Sequence, residues 1–181
     1  MAMAKNIALH GVWGITKYEF TSCSSSLLWT SMVGLIYFAL GPNEITPLIL
    51  NLIFGSLVLV STFYILRKYE LKPVQILFIL IAMVIVTPLP PLMFTGLEHV
   101  MHIWVSLLFI YFTAEEINEK ESKKKNLFWL IVISALLPSI RYEGIFIVFI
   151  ASIIFLIKKK WLTGLVIFIA SFIPIFIFGI I

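Results

Sequence analysis

Three short segments carry most of the side chains that could bind a polar ligand or move a proton. The first is Thr95-Gly-Leu-Glu-His-Val-Met-His102, where Glu98 and His102 stand at i, i+4 spacing and His99 one step round the same turn. A carboxylate beside lipid is costly unless it finds a partner. Glu98, His99 and His102 could together hold a divalent metal, because imidazole and carboxylate both suit such ions. The spacing is not His-Glu-x-x-His, and two other uses fit the same residues: a hydrogen-bonded interfacial cluster, or contact with a phosphate-bearing substrate. The second segment is Ser139-Ile-Arg-Tyr-Glu-Gly144. The forked donors of Arg141 match a phosphate, and an ion pair with Glu143 or Glu98 is the competing use. Both can hold in turn, with a carboxylate occupying the guanidinium until a phosphate arrives. The third segment, from His10 to Thr30, combines Gly-Val-Trp-Gly14 with a serine run that includes Ser24, Ser25 and Ser26, followed by Trp29. Aromatic faces stack on sugars and hydroxyls hydrogen-bond them, although Trp13 and Trp29 would serve equally as anchors at a membrane interface. The chain has no P-loop, no Gly-rich nucleotide motif and no nucleophile–base pair.

The elements that must position these residues follow from composition. Of 181 residues, 61% are hydrophobic and only 12% charged, against roughly 25% charged in an ordinary soluble domain. Polar side chains are too few to cover a globule of this size, so lipid is the fitting solvent, an inference that the mean hydropathy of +1.10 supports. A net charge of +4 would suggest nucleic acid in a soluble protein, but here the basic residues cluster between apolar runs and read as topology instead. The single Cys23 excludes an internal disulfide. The first five residues are too short and polar to form the apolar region of a signal peptide.

Seven apolar stretches are marked off by charge, proline and glycine: residues 26–40, 45–66, 74–87, 100–113, 127–137, 145–157 and 161–181. A spanning helix needs about 20 apolar residues. The second and seventh stretches reach that, and the four between them do so only by recruiting uncharged flanks. If stretches alternate in direction, Arg67, Lys68, Lys72, Lys120, Lys123, Lys124, Lys125, Lys158, Lys159 and Lys160 share one side, which is cytoplasmic by the positive-inside rule. Arg141 is then the only basic residue in an outer loop of the bundle. The segment with Glu115, Glu116, Glu119 and Glu121 reads as an ordinary solvated loop. Residues 26–40 are marginal for a span and carry a small-polar stripe, Ser26, Thr30 and Gly34; a short crossing helix and a helix lying on the outer surface both fit.

The order of motifs, Gly-Val-Trp-Gly14, Phe20-Thr-Ser-Cys-Ser-Ser-Ser-Leu-Leu-Trp-Thr30, Gly-Pro-Asn-Glu44, Thr95-Gly-Leu-Glu-His99 and Arg141-Tyr-Glu-Gly144, resembles the front half of the GT-C membrane glycosyltransferases. These include arabinosyl- and mannosyltransferase-like proteins that use polyprenyl-phosphate sugars. The resemblance implies sugar transfer from a polyprenyl-phosphate donor on the outer face. It implies that Arg141 meets the lipid phosphate, that Glu98 occupies an acidic position near the donor phosphate or a metal, and that His99 and His102 support it. Ser24–Ser26 and Trp29 would shape the acceptor side, and residues 26–40 would form a juxtamembrane helix. The chain departs from the family in one respect that bears on catalysis. It contains no Asp, so the family's catalytic acidic pair is missing, as is the group that would activate the acceptor hydroxyl. On this reading the chain is a fragment or degenerate copy of such an enzyme.

The expected fold is therefore all-α: a polytopic membrane bundle of about six transmembrane helices plus one outer-surface helix. Residues 1–44 would form the outer loop and surface helix, and residues 45–181 the bundle. The expected partners are the bilayer and a polyprenyl-phosphate-linked sugar, not nucleic acid. Two other classes compete. One is a non-catalytic scaffold or lipid-binding subunit. The other is a small transporter, for which the polar content within the membrane is thin (mainly Asn51 and Gln75) and no inverted repeat is evident.

Overall fold

The structure is a computed structural model that describes residues 1–21, 24–119 and 124–180; Cys23, Lys120, Glu121 and Lys123 lie outside the described residues. Within these bounds the chain is helical and holds no strand. The helices are α1 (Ala2–His10), α2 (Leu27–Leu40), α3 (Thr46–Lys68), α4 (Pro73–Val86), α5 (Leu89–Phe94), α6 (His99–Asn118), α7 (Lys124–Ile140), α8 (Gly144–Ile157) and α9 (Trp161–Ile180). Each apolar stretch of the sequence becomes a helix, and the breaks have local causes. Pro47 and Pro73 sit in the first turns of α3 and α4, where a missing N–H costs nothing. Gly41, at φ 84°, ends α2 in a conformation that glycine adopts without strain.

Among the described residues three helices are long and apolar enough to cross a membrane: Thr46–Lys68, His99–Asn118 and Trp161–Gly179. The helix over Pro73–Val86 has 14 residues, about 21 Å at 1.5 Å per residue, short of a hydrocarbon core of roughly 30 Å. The helix Gly144–Ile157 is equally short. Length alone thus supports three crossings.

Two ends of the bundle are chemically distinct. At one end the start of α6 meets the α7–α8 turn, where Arg141 contacts Glu98 and His99. The first turn of α3 lies at the same end, since a Cβ added to Gly96 would stand 3.5 Å from Pro47 Cβ. Trp13 and Phe20 pack on Phe178 near the end of α9, with ring centroids 5.3 and 6.1 Å apart. At the other end Lys68 of α3 contacts Glu115 and Tyr111 of α6. Lys160, just before α9, donates to the backbone carbonyls of Glu116 and Glu119 at the end of α6.

Helix α1 was not visible as an apolar stretch. It packs on α2 through the small-residue stripe: a Cβ on Gly34 would lie 3.3 Å from Ile7, so glycine there allows the close approach. The hydrophobic core is continuous across residue 44. It joins Ala4, Trp29, Val33 and Tyr37 to Phe54, Val105, Phe109 and Leu137 of the bundle.

Candidate functional site

Local sequence fixes the place of Arg141. Helix α7 contains Pro138 in its last turn, and the helix stops soon afterwards at a fully buried Ile140. The chain reverses through Arg141, Tyr142 and Glu143, closed by a hydrogen bond from Gly144 N to Arg141 O of 2.9 Å. Gly144 must be small, because a Cβ there would stand 2.8 Å from the backbone C and O of Leu137. That close approach brings the turn over the start of α6.

On the facing side, Gly96 at φ 67° turns the chain into α6. Glu98 is the N-cap residue and His99 the first helical residue, so the positive end of the helix dipole stabilises the carboxylate. Arg141 Nη1 donates to Glu98 Oε1 at 3.2 Å and lies 2.8 Å from His99 Nδ1. Arginine has only donors, so His99 Nδ1 accepts and the ring carries its N–H at Nε2. Arg141 Nη2 donates to Glu143 Oε1 at 2.7 Å. That hydrogen bond is the main cause holding the Glu143 carboxyl below its usual range, helped by a backbone hydrogen bond. One guanidinium thus serves three acceptors from two helix termini.

Beside this cluster lies a cavity of about 570 Å³. Glu98, His99 and Arg141 line it together with Ser24, Ser25, Ser26, Trp29 and Thr30. The start of α1 also lines it. Ser24 Oγ and Thr30 Oγ1 share a hydrogen bond of 2.8 Å. Ser26 and Trp29 are each only 3% exposed, and among the described residues Ser26 Oγ and Trp29 Nε1 have no hydrogen-bond partner. Buried polar atoms are rarely left so.

Five of the six candidate residues therefore border one cavity: Ser25, Trp29, Glu98, His99 and Arg141. His102 does not. It sits one helical turn further along α6, with its backbone N–H bonded to Glu98 O and its buried Nε2 unpartnered among the described residues. Trp29 differs from both uses expected of it. Its ring packs 6.3 Å from that of Phe54, and at 3% exposure it neither offers an open stacking face nor anchors at an interface. A divalent metal does not fit the residues at this position. Among the described residues no three His, Cys, Asp or Glu side chains are grouped to hold one, and the guanidinium of Arg141 bridges Glu98 and His99.

The opposite end corrects the reading of an ordinary solvated loop. Glu116 is 0% exposed; Lys160 Nζ stands 3.8 Å from its Oε1, and neither of its oxygens has a hydrogen-bond partner among the described residues. Glu115 is engaged by Lys68 and by Tyr69 Oη at 3.2 Å. Sequence gave no sign of this, because Glu115 and Glu116 are neighbours in a charged segment and only the helical turn sends one of them inward. Asn51 and Gln75 both bond to the backbone, while the buried Asn51 Oδ1 has no partner among the described residues. Asn51 donates to the Leu92 and Met93 carbonyls, and Gln75 accepts from Lys72 N.

No family model matches the chain, and no curated protein or solved structure matches it significantly.

Proposed function

We propose that the chain is the donor-binding part of a GT-C-like membrane glycosyltransferase, and that its cavity takes a polyprenyl-phosphate-linked sugar. The observation that carries the reading is the lining of one cavity of about 570 Å³, which brings a guanidinium with a carboxylate and an imidazole together with a row of hydroxyls. A lipid phosphate displaces Glu143, whose side chain is 58% exposed, and takes its place on the Arg141 fork. The sugar hydroxyls then meet Ser24, Ser25 and Thr30, and ligand oxygens satisfy the buried donors of Ser26 and Trp29. Glu98 stays on Arg141 and fixes the guanidinium plane. The chain contains no Asp, so the reading concerns donor binding and the family chemistry is carried only by resemblance.

In this reading α3, α4 with α5, α6, α7, α8 and α9 make about six crossings, the shorter ones completed by their uncharged flanks. Helix α2 lies on the outer surface. Its N-terminal end borders the cavity, and residues 41–45 carry its other end to the start of α3 at the same end of the bundle. The lysine-rich end faces the cytoplasm of a cell membrane.

Two experiments test this. The full chain in dodecyl maltoside is titrated with a polyprenyl phosphate and with the matching polyprenol. The phosphate form should bind, Arg141→Ala should weaken it at least tenfold, and the helical circular-dichroism spectrum should be retained. Equal binding of the two lipids, or an unaffected Arg141→Ala variant, overturns the reading. For topology, Glu44→Cys and Lys124→Cys variants, each made in a Cys23→Ser background, should react with an impermeant maleimide from opposite sides. Labelling of both from one side removes the proposed arrangement.

A further inference from the structure

The seam between α3 and α4 carries a second polar–apolar pairing at the lysine-rich end of the bundle, far from the cavity just described. A cavity of about 500 Å³ opens there, lined by Phe63, Arg67, Leu71, Pro73, Ile76, Leu77 and Leu80. Every wall residue but Arg67 is apolar. A second, smaller groove of about 240 Å³ continues along the same seam, with Leu80 common to both, towards Val84 and Ile85. The two share Leu80 along one seam, and Arg67 is the one charged residue lining the larger. From Pro73 to Ile85 the seam runs roughly 18 Å along the helix axis, close to the roughly 15 Å of one leaflet's share of the hydrocarbon core.

Arg67 differs from Lys68 and Lys160, while Lys72 beside Pro73 is likewise exposed and in no ion pair among the described residues. Lys68 is spent on Glu115 and Tyr111, and Lys160 on the end of α6. Among the described residues no hydrogen bond or ion pair engages the Arg67 side chain, and it is exposed. Glu70, three residues on, is not paired with it. Helix α4 presents little of itself to the protein, since Ile76 is its only buried residue.

We propose that these two grooves form a binding site for an anionic phospholipid of the bilayer, with the headgroup phosphate on Arg67 and one acyl chain along the α3–α4 seam. Charge complementarity selects the occupant. An unpaired guanidinium at the polar end of a leaflet-deep apolar groove matches a phosphodiester attached to an alkyl chain, and its fork takes two phosphate oxygens. A zwitterionic lipid brings its own ammonium to the same place and gains less. A soluble anion has no use for the apolar walls. The site depends on Arg67 and not on Arg141, so its failure and the failure of the outer-cavity reading are separate outcomes.

Native mass spectrometry of the full chain in a neutral detergent tests it, with phosphatidylglycerol and phosphatidylcholine of identical acyl chains as probes. Wild type should hold phosphatidylglycerol roughly five- to tenfold more tightly, the preference expected of one basic side chain near a lipid surface. Arg67→Gln should bring the two lipids level, while Leu77→Trp, which fills the groove, should weaken both together. Lys158→Gln removes the same charge from a different loop and should leave the preference intact. Equal binding of the two lipids to wild type overturns the proposal. So does a preference that survives Arg67→Gln, or one that Lys158→Gln reduces as much, which would mark diffuse surface charge.

Discussion

The two ends of α6 invite comparison, because each gathers carboxylates and basic groups yet puts them to different use. At the first end Glu98 and His99 meet a single arginine at the rim of an open cavity. At the second end Glu115 and Glu116 each meet a lysine, and Lys160 also caps the last carbonyls of the helix. One end keeps a charge facing a space that can be filled, whereas the other uses its charges to tie α3, α6 and α9 together. The difference lies in what surrounds the charges. A guanidinium with an exposed partner can exchange that partner for a ligand at little cost. Lys160 is the counter-charge 3.8 Å from a fully buried Glu116 whose oxygens make no hydrogen bond among the described residues, and removing it leaves that buried group without a cation.

The comparison breaks most clearly at Lys160. Lys160→Met strands the Glu116 carboxylate and the carbonyls that end α6, and should destabilise the fold by about 3–5 kcal/mol, read from the midpoint of SDS-induced unfolding. The double variant Lys160→Met/Glu116→Leu should recover much of that loss; no recovery would mean that the carboxylate is not the source of the penalty. A smaller effect is expected where packing places the outer site. Gly144→Val pushes a side chain into the Leu137 backbone and should cost about 1–3 kcal/mol, with polyprenyl-phosphate binding weakened because the Arg141 turn shifts. Undiminished binding would show that the turn does not position Arg141.

Glu143→Gln should barely alter stability, within about 0.5 kcal/mol for an exposed partner, while tightening polyprenyl-phosphate binding several-fold by freeing one side of the fork. If binding weakens instead, Glu143 is a contact and not a competitor. The smallest effect concerns pH. The Glu143 carboxyl is held below its ordinary value, chiefly by the hydrogen bond from Arg141. Its contribution is therefore complete above the usual carboxylate pKa, about 4.3, and is lost as pH falls through the depressed value. Wild type and Glu143→Gln should show parallel unfolding midpoints from pH 7 to 5 and converge only below that range. Divergence near neutrality would place the titrating group elsewhere.

Much of the site was legible before any coordinates, and the reason is local. Proline and glycine mark where helices stop, so Glu98, His99 and Arg141 could be assigned to helix ends, and lysine counts put those ends on one side. What could not be read was distance across the chain. Arg141 and Glu98 lie 43 positions apart, and no spacing rule states which of Glu98, His99 and His102 an arginine so remote will reach. His102 shares the helix face of Glu98, but sits one turn further from the α7–α8 turn. Trp29 has the composition of a sugar platform and the packing of a core residue, and only its neighbours Phe54 and Ser26 decide between them.

The cluster that carries the proposed function, Glu98 with Arg141, thus divides the two sources of information. The sequence by itself determined that the chain is helical and apolar, where its helices break, and that acidic and basic groups would collect at their ends, because composition and turn chemistry act over a few residues. Tertiary structure alone decided that one arginine would bridge Glu98, His99 and Glu143 beside a cavity, and that Glu116 would be buried with Lys160. It also decided that Arg67 would stand at a groove with no partner among the described residues. Those outcomes depend on which helices pack together, and packing is settled by the fit of whole surfaces.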